Sequence, residues 1–342
     1  MWEKTYFESG SVSQTGADPE IFVLDNMGKL LPAFRFLPPK NQAIKLPGSG
    51  GSAYWDGFQA EFAIGASGCH SWVTDYLHYG LAGVLNEARK VDPKARLTLQ
   101  NVFRIPREEL FTTSGEYAAL GCNPSRNAYN TNPFMIDNPF ELPYRMAGGH
   151  IHLGMDPNYT LGGVDSPLPD RFAKYLDFLV AIPTVGMFAE IDSPVRRKYY
   201  GRAGEYRLPS HGLEYRTLSN AWLGHPSISN LILDLARIAV GSITKIPFEE
   251  FKTTQEDIRD IINNTDVKGA RKLFEQNSDL WKRVLTQKYP FKEGGFPKLQ
   301  KAVNEGVEAI IPTYTDIEFN WQLQSSRHHA GEGTWSHLIS KA

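Results

Sequence analysis

The chain is short of cysteine, of uncharged apolar runs and of any surplus of one charge. Only Cys69 and Cys122 occur among 342 residues. That excludes a disulfide framework and a C-x-x-C metal site, while one bridge stays open. No uncharged apolar stretch approaches the roughly 20 residues of a membrane span, and no polybasic run suits a membrane surface. Lys and Arg number 36 against 38 Asp and Glu, so nothing in the balance draws nucleic acid. The opening MWEKTYFESG lacks the basic-then-apolar order of a secretory signal, and a cytoplasmic location is the expectation. Two nucleotide signatures are missing as well: no G-x-x-x-x-G-K-[ST], and no G-x-G-x-x-G after a strand. A nucleotide, if one binds, lies on an open sheet.

What is present is an interleaving of strands and helices. EIFVLDNMGKLLPAF reads as a hairpin turning at Asn26–Gly28. The glycine-rich lead-in to FQAEFAI reads as a loop, and FQAEFAI itself as a strand. Val73, Leu77, Leu81, Val84, Leu85 and Ala88 recur at helical spacing, which predicts a helix from Ser71 to Val91. ARLTLQNVFRI and RMAGGHIHLGM read as strands, residues 170–190 and 226–244 as apolar helices, and 254–288 as short helices. The tail SSRHHAGEGTWSHLISKA is polar and expected to be mobile. The strands are polar on one side, unlike the continuous Val/Ile/Leu runs of a buried parallel sheet. The expected class is therefore α+β, an antiparallel sheet with one wet face and helices behind the other.

Side chains two apart on a strand share a face. GADPEIF then pairs Asp18 with Glu20, and Pro19 marks an edge or a strand start. GFQAEFA pairs Gln59 with Glu61. Asp56 lies an odd five residues from Glu61 and joins it only across a bulge or from the preceding loop. GGHIHLG pairs His150 with His152, GEYRLP pairs Glu205 with Arg207, and GLEYRTL pairs Glu214 with Arg216. Tyr206 and Tyr215 then point toward the helices. Taken singly, each of these is as well explained by a solvated strand face or a cross-strand ion pair. Together, carboxylates with an imidazole suit Mg²⁺ or Mn²⁺. Arg196, Arg197, Arg202, Arg207 and Arg216 nearby in sequence suit polyphosphate. In GCNPSRNAYN, Asn123, Ser125, Arg126 and Asn127 offer groups for a substrate carboxylate or amide. Asx-turns that merely hold the loop explain Asn123 and Ser125 equally well. His70, His78, His211 and His225 read as caps or surface residues.

GADPEIF, GFQAEF, AGGHIHLG, GRAGEYR and GLEYRTLSN, taken in order, resemble the phage and bacterial carboxylate–amine ligases of the second type. These are amidoligases related to glutamine synthetase and glutamate–cysteine ligase. The motifs span about Gly16 to Asn220. The resemblance implies a glutamine-synthetase-like curved, open antiparallel sheet with helices on one side. It implies residues 1–250 as the catalytic domain, with 251–342 a helical extension and tail packed on it. It also implies ATP with two or three Mg²⁺ or Mn²⁺ ions, and small-molecule or peptide carboxylate and amine substrates, in the host cytoplasm if the chain is phage-encoded. By position, Asp18, Glu20, Glu61, His150 and Glu214 resemble metal ligands. His152, Arg202, Arg207 and Arg216 resemble the groups that face the nucleotide phosphates. The synthetase pattern has an additional Glu well before its Gly-Gln, where this chain offers only Asp56, just upstream. The implied reaction forms an acyl phosphate that an amine then attacks, with Asp56 or a residue of the 114–145 loop taking the amine proton. A metal-dependent phosphotransferase or hydrolase on the same ligands is one alternative. A non-catalytic binding or assembly protein that keeps the fold is another.

Overall fold

The computed structural model describes residues 14–118, 125–130, 138–154, 168–243, 246–288 and 295–323. Twelve strands are found among them. They are β1 (Gln14–Leu24), β2 (Leu30–Leu31), β3 (Ile44–Leu46), β4 (Gly51–Asp56), β5 (Gln59–Ala63), β6 (Arg96–Thr98), β7 (Val102–Arg104), β8 (Arg126–Asn127), β9 (Tyr144–Met146), β10 (Gly149–Gly154), β11 (Glu205–Arg207) and β12 (Gly212–Tyr215). The main sheet runs β3-β4-β5-β1-β10-β12-β11-β8, with β2 and β6 on the far end of β1. Every pairing among the described residues is antiparallel. The sheet is open, and β7 and β9 form a separate ribbon.

Helices cover one face. They are α1 (His70–Val91), α2 (Leu168–Leu176), α3 (Ile182–Met187), α4 (Pro226–Ser242), α5 (Gln255–Asn263), α6 (Val267–Gln276), α7 (Ser278–Lys288) and α8 (Gly295–Glu305). A π-turn, Asp177–Ala181, joins α2 to α3. Alternation decides which strand residues meet this layer: Ala17, Ile21, Ala60, Phe62, Ile151, Leu153, Leu213 and Tyr215 are buried. They share one core with Val73, Leu77 and Leu81 of α1, Phe172 and Leu176 of α2, and Ile232 and Leu235 of α4. Each such side chain contributes roughly 1.5–3 kcal/mol by leaving water. The two tyrosines point as their spacing predicts, Tyr206 to Asp170 at 2.8 Å and Tyr215 to Asp177 at 2.5 Å. Helices α5, α6 and α8 pack around α3.

The sequence expectation differs from the fold at three places. Pro19 is neither at an edge nor at a strand start, because β1 is flanked by β5 and β10. It is tolerated where its missing N–H falls, just before the β1–β5 register that begins at Glu20–Glu61, while the Glu20 N–H on the other side reaches Gly148 O at 2.9 Å. The glycine-rich lead-in is not a loop throughout, since Gly51–Asp56 forms β4. A Cβ on Gly51 would fall 1.9 Å from Ala63 O, so the glycine permits the close approach. ARLTLQNVFRI is two strands, broken where the Asn101 amide turns aside to Asp192 Oδ1 at 2.9 Å. The hairpin near Asn26 and the helix after Ser71 lie where expected. The polar tail and its His328 and His329 lie outside the described residues.

Candidate active site

On the face away from the helices, the register stacks polar residues side by side. Asp18 opposes His150, His152 opposes Glu214, Glu214 opposes Arg207, and Glu20 opposes Glu61. Asp56 joins this row by a route the spacing argument misses. The chain reverses at Gly57–Phe58, so Asp56 lies opposite Gln59 and Tyr54 opposite Glu61. A two-residue turn sets residues three apart on one face, and the odd count along the chain ceases to matter. One end of this face is closed by a second core, where Phe22 and Phe58 meet Ile105, Leu110 and Ala147.

Among the described residues, two groups of three donors result. Ligand atoms of Asp18, His150 and Glu214 lie within 4.8 Å of one another, and so do those of Glu20, Asp56 and Glu61. In the first group, His150 Nδ1 is 3.5 Å from Asp18 Oδ1 and 3.6 Å from Glu214 Oε1. Asp18 Oδ1 also lies 2.9 Å from His152 Nε2, yet it makes no aligned hydrogen bond and is a buried acceptor with lone pairs to spare. In the second group, Glu20 accepts from Gly148 N–H at 2.6 Å and from the Tyr200 hydroxyl at 3.0 Å, and Glu61 accepts from the Tyr54 hydroxyl. Such donor sets, rich in oxygen with one imidazole, fit a hard or borderline divalent cation.

The electrostatics differ between the groups. Burial pushes the Glu20 carboxyl up to about 7, with the Asp56 charge adding to it. Burial also raises Glu61 well above the usual range, with the charges of Asp18, Asp56 and Glu20 acting the same way. Crowded carboxylates raise one another's pKa, and a cation among them would relieve that repulsion. In the first group burial again opposes charge, but His150 and His152 hold Asp18 far below its ordinary value. Glu214, although buried, is lowered by Arg216 and His150. Burial and the Arg216 charge lower His150 to about 4, which keeps its ring neutral at pH 7.

The arginines divide into two kinds. Arg216 is buried and donates to Glu214, and Arg207 Nη1 stands 3.8 Å from Glu214 Oε1 at a partly open position. Arg202 meets its neighbours through its carbonyl, which accepts from Thr217 Oγ1 at 3.0 Å. Arg196 and Arg197 are not part of the polar face. Arg196 is spent on the carbonyls of Ala147, Thr217 and Leu218, and Arg197 on those of Gly201 and Thr217 and on Asp192. They staple the loop that carries Tyr200. Local sequence counts them as charges near phosphate, whereas buried guanidinium groups satisfy carbonyls first.

The loop residues fare differently. Asn123 lies outside the described residues. Ser125 precedes the edge strand β8. Arg126 opposes Tyr206, which places it on the helix-side register rather than the carboxylate face. Asn127 opposes Glu205 on the carboxylate face, but its amide donates to Ala203 O at 2.8 Å and its oxygen accepts from Tyr129 N–H at 2.9 Å. It therefore holds a turn.

Tyr200, which the sequence did not single out, and His211, which reads as a cap or surface residue and is indeed exposed, stand at the site. Tyr200 touches Glu20 and His150. His211 Nε2 lies 2.8 Å from His152 Nδ1. The signal for His211 was its place in the β11–β12 turn, beside the end of β10. His225, by contrast, caps α4, its Nδ1 accepting from Ser227 N–H at 3.1 Å. The glycines before His150 answer to close packing: a Cβ on Gly149 would fall 2.2 Å from Trp222 Nε1 and 2.3 Å from Ser219 O. Gly149→Ala is expected to cost about 2–4 kcal/mol of stability, read as a lower urea midpoint. An unchanged midpoint would show that the strand can step aside.

Comparison with known proteins adds one finding. Residues 138–323, more than half of the chain, match the family model described as phage phiEco32-like COOH.NH2 ligase-type 2. The matched segment carries His150, Tyr200, Glu214 and Arg216 but begins after Asp18, Glu20, Asp56 and Glu61. No curated protein matches the chain.

Proposed function

The chain belongs to the phage phiEco32-like COOH.NH2 ligase type 2 family, and on that premise we propose that its polar sheet face is an ATP-dependent carboxylate–amine ligation centre. The observation that carries the reading is the adjacency of two largely buried three-donor groups, with Arg216 and Arg207 beside the first. In this reading Asp18, His150 and Glu214 hold one Mg²⁺ or Mn²⁺ ion, and Glu20, Asp56 and Glu61 hold another. Asp56, which the sequence offers as a proton acceptor, serves instead as the third oxygen of the second group. Such ions, when bound, would supply positive charge against phosphate oxygens.

The chain's own residues do the rest. Arg216 and Arg207, with Arg202 at the loop edge, balance negative charge on the transferring phosphoryl group. His152, raised above its usual value by Asp18 although burial opposes it, offers a further donor. The substrate carboxylate attacks the γ-phosphorus of ATP in line, the bond to the β-phosphate oxygen breaks, and ADP leaves. The amine then attacks the acyl phosphate carbonyl, the C–O bond to phosphate breaks, and the amine proton passes to a base. Helices α5 to α8 support the site from behind, where Asn263 Oδ1 accepts from Ala203 N–H at 2.8 Å.

The test is phosphate release from ATP with Mg²⁺ and pools of carboxylates and amines. Release that needs both a carboxylate and an amine is expected. Release with water alone would point to a hydrolase on the same residues. Absent release, with no thermal shift on adding Mg-ATP, would point to a protein without catalysis.

A further inference from the structure

We propose that Tyr200 is a positioning residue that fixes the tautomer of His150 and ties the two donor groups into one unit. The inference rests on the metal reading above and deepens it. Tyr200 is buried, and its hydroxyl touches His150 Nε2 at 2.6 Å, Glu20 Oε1 at 3.0 Å and Arg216 Nη2 at 3.4 Å. His150 belongs to the first donor group and Glu20 to the second. One hydroxyl therefore spans both.

The metal reading gives this contact a direction. Arg216 Nη1 approaches His150 Nδ1 at 3.4 Å. Nδ1 also faces the carboxylates Asp18 Oδ1 at 3.5 Å and Glu214 Oε1 at 3.6 Å, so the direction comes from the cation of the reading above: Nδ1 would have to offer it a lone pair, which leaves the proton of the neutral ring on Nε2. Nε2–H then donates to the tyrosine oxygen, which also faces an Arg216 donor. The tyrosine hydrogen is left for Glu20 Oε1. The chain runs His150 to Tyr200 to Glu20 and leaves the Nδ1 lone pair facing Asp18 and Glu214. Partners of this kind on the far nitrogen of a ligating histidine set its tautomer and ring angle.

The surroundings hold the tyrosine in place. The Arg196 guanidinium lies 5.0 Å from its ring centre and that of Arg216 5.7 Å. Gly148 leaves the room: a Cβ there would fall 2.5 Å from His150 Nε2 and 2.9 Å from the Tyr200 oxygen. This is why the first glycine of GGHIHLG must lack a side chain.

Two measurements on the full chain test the proposal. Nitrogen-15 NMR of the imidazoles in saturating Mg²⁺ at pH ~7.5, where a histidine of ordinary pKa is neutral, with His150 assigned by the loss of its signals in His150→Gln, is expected to show the Nε2–H form. Tyr200→Phe is expected to give a mixture of tautomers. Mn²⁺ titration followed by electron paramagnetic resonance is expected to show two bound ions in the wild type. One of these should be weakened about tenfold or more in Tyr200→Phe. An Nδ1–H form in the Mg²⁺-loaded wild type overturns the proposal even if the variant fails to fold. A folded Tyr200→Phe that binds Mn²⁺ as the wild type does also overturns it. A wild type that binds no Mn²⁺ overturns the underlying reading, and the inference falls with it.

Discussion

Glu61→Gln is expected to stabilise the metal-free protein and to abolish ligation in the same step. Glu61 is buried beside Glu20 and Asp56, and burial and three neighbouring charges raise its pKa. The amide removes the repulsion and keeps an oxygen to accept from the Tyr54 hydroxyl. A gain of about 1–2 kcal/mol in urea melts with EDTA is therefore expected. The same change deletes a charged donor from the second group. A bound ion supplies several kcal/mol of transition-state charge stabilisation, so the loss corresponds to roughly 10³-fold or more in phosphate release. A variant that is less stable without metal and still active would separate Glu61 from the site.

The metal-free protein is also expected to lose stability as pH rises from about 4.5 toward about 7 (roughly the model-peptide and folded-state limits of a buried glutamate). The folded pKa of Glu20 is raised from 4.5 to about 7 and that of Glu61 is raised as well. At these two groups the native state binds more protons than the unfolded chain across that window, so they contribute a negative slope of unfolding free energy against pH, partly offset below about 6.5 by His150, which burial lowers to about 4. For Glu20 alone the full change is on the order of 3 kcal/mol. Asp177 and Asp234 are also raised to about 7 by burial and contribute with the same sign. Asp177 lies on the helix side against Tyr215, however, and a cation on the open face leaves it untouched. Mg²⁺ or Mn²⁺ should therefore flatten only part of the slope, while adding about 2.7 kcal/mol per ion at a hundred times its Kd. Asp18 acts oppositely: its lowered pKa keeps its contribution until strong acid. Urea midpoints from pH 5 to 8, with EDTA and with Mg²⁺, give the comparison. A slope that Mg²⁺ leaves intact would contradict the two-group reading.

Much of this face was legible because strand alternation has a period of two and each polar pair stayed within one strand. Asp18 with Glu20, His150 with His152, and Glu214 with its neighbours all line up as their spacing requires. Legibility ended where the chain reversed. Asp56 and Glu61 belong to two strands, and parity along a single strand could not relate them. Tyr200 and His211 reach the site from loops, and their partners lie 50 and 59 residues away in the chain. Arg196 and Arg197 mislead in the other direction, since a charge-rich segment does not reveal which guanidinium groups are consumed by buried carbonyls. Membership of the ligase family accords with the resemblance of the ordered motifs.

The most direct measurement is anomalous diffraction at the manganese edge from crystals grown or soaked with Mn²⁺ and ATP. Two peaks are expected, one among Asp18, His150 and Glu214 and one among Glu20, Asp56 and Glu61, each with ligand distances of about 2.0–2.6 Å. Manganese located elsewhere, or these six side chains left without a peak under saturating metal, would contradict the account.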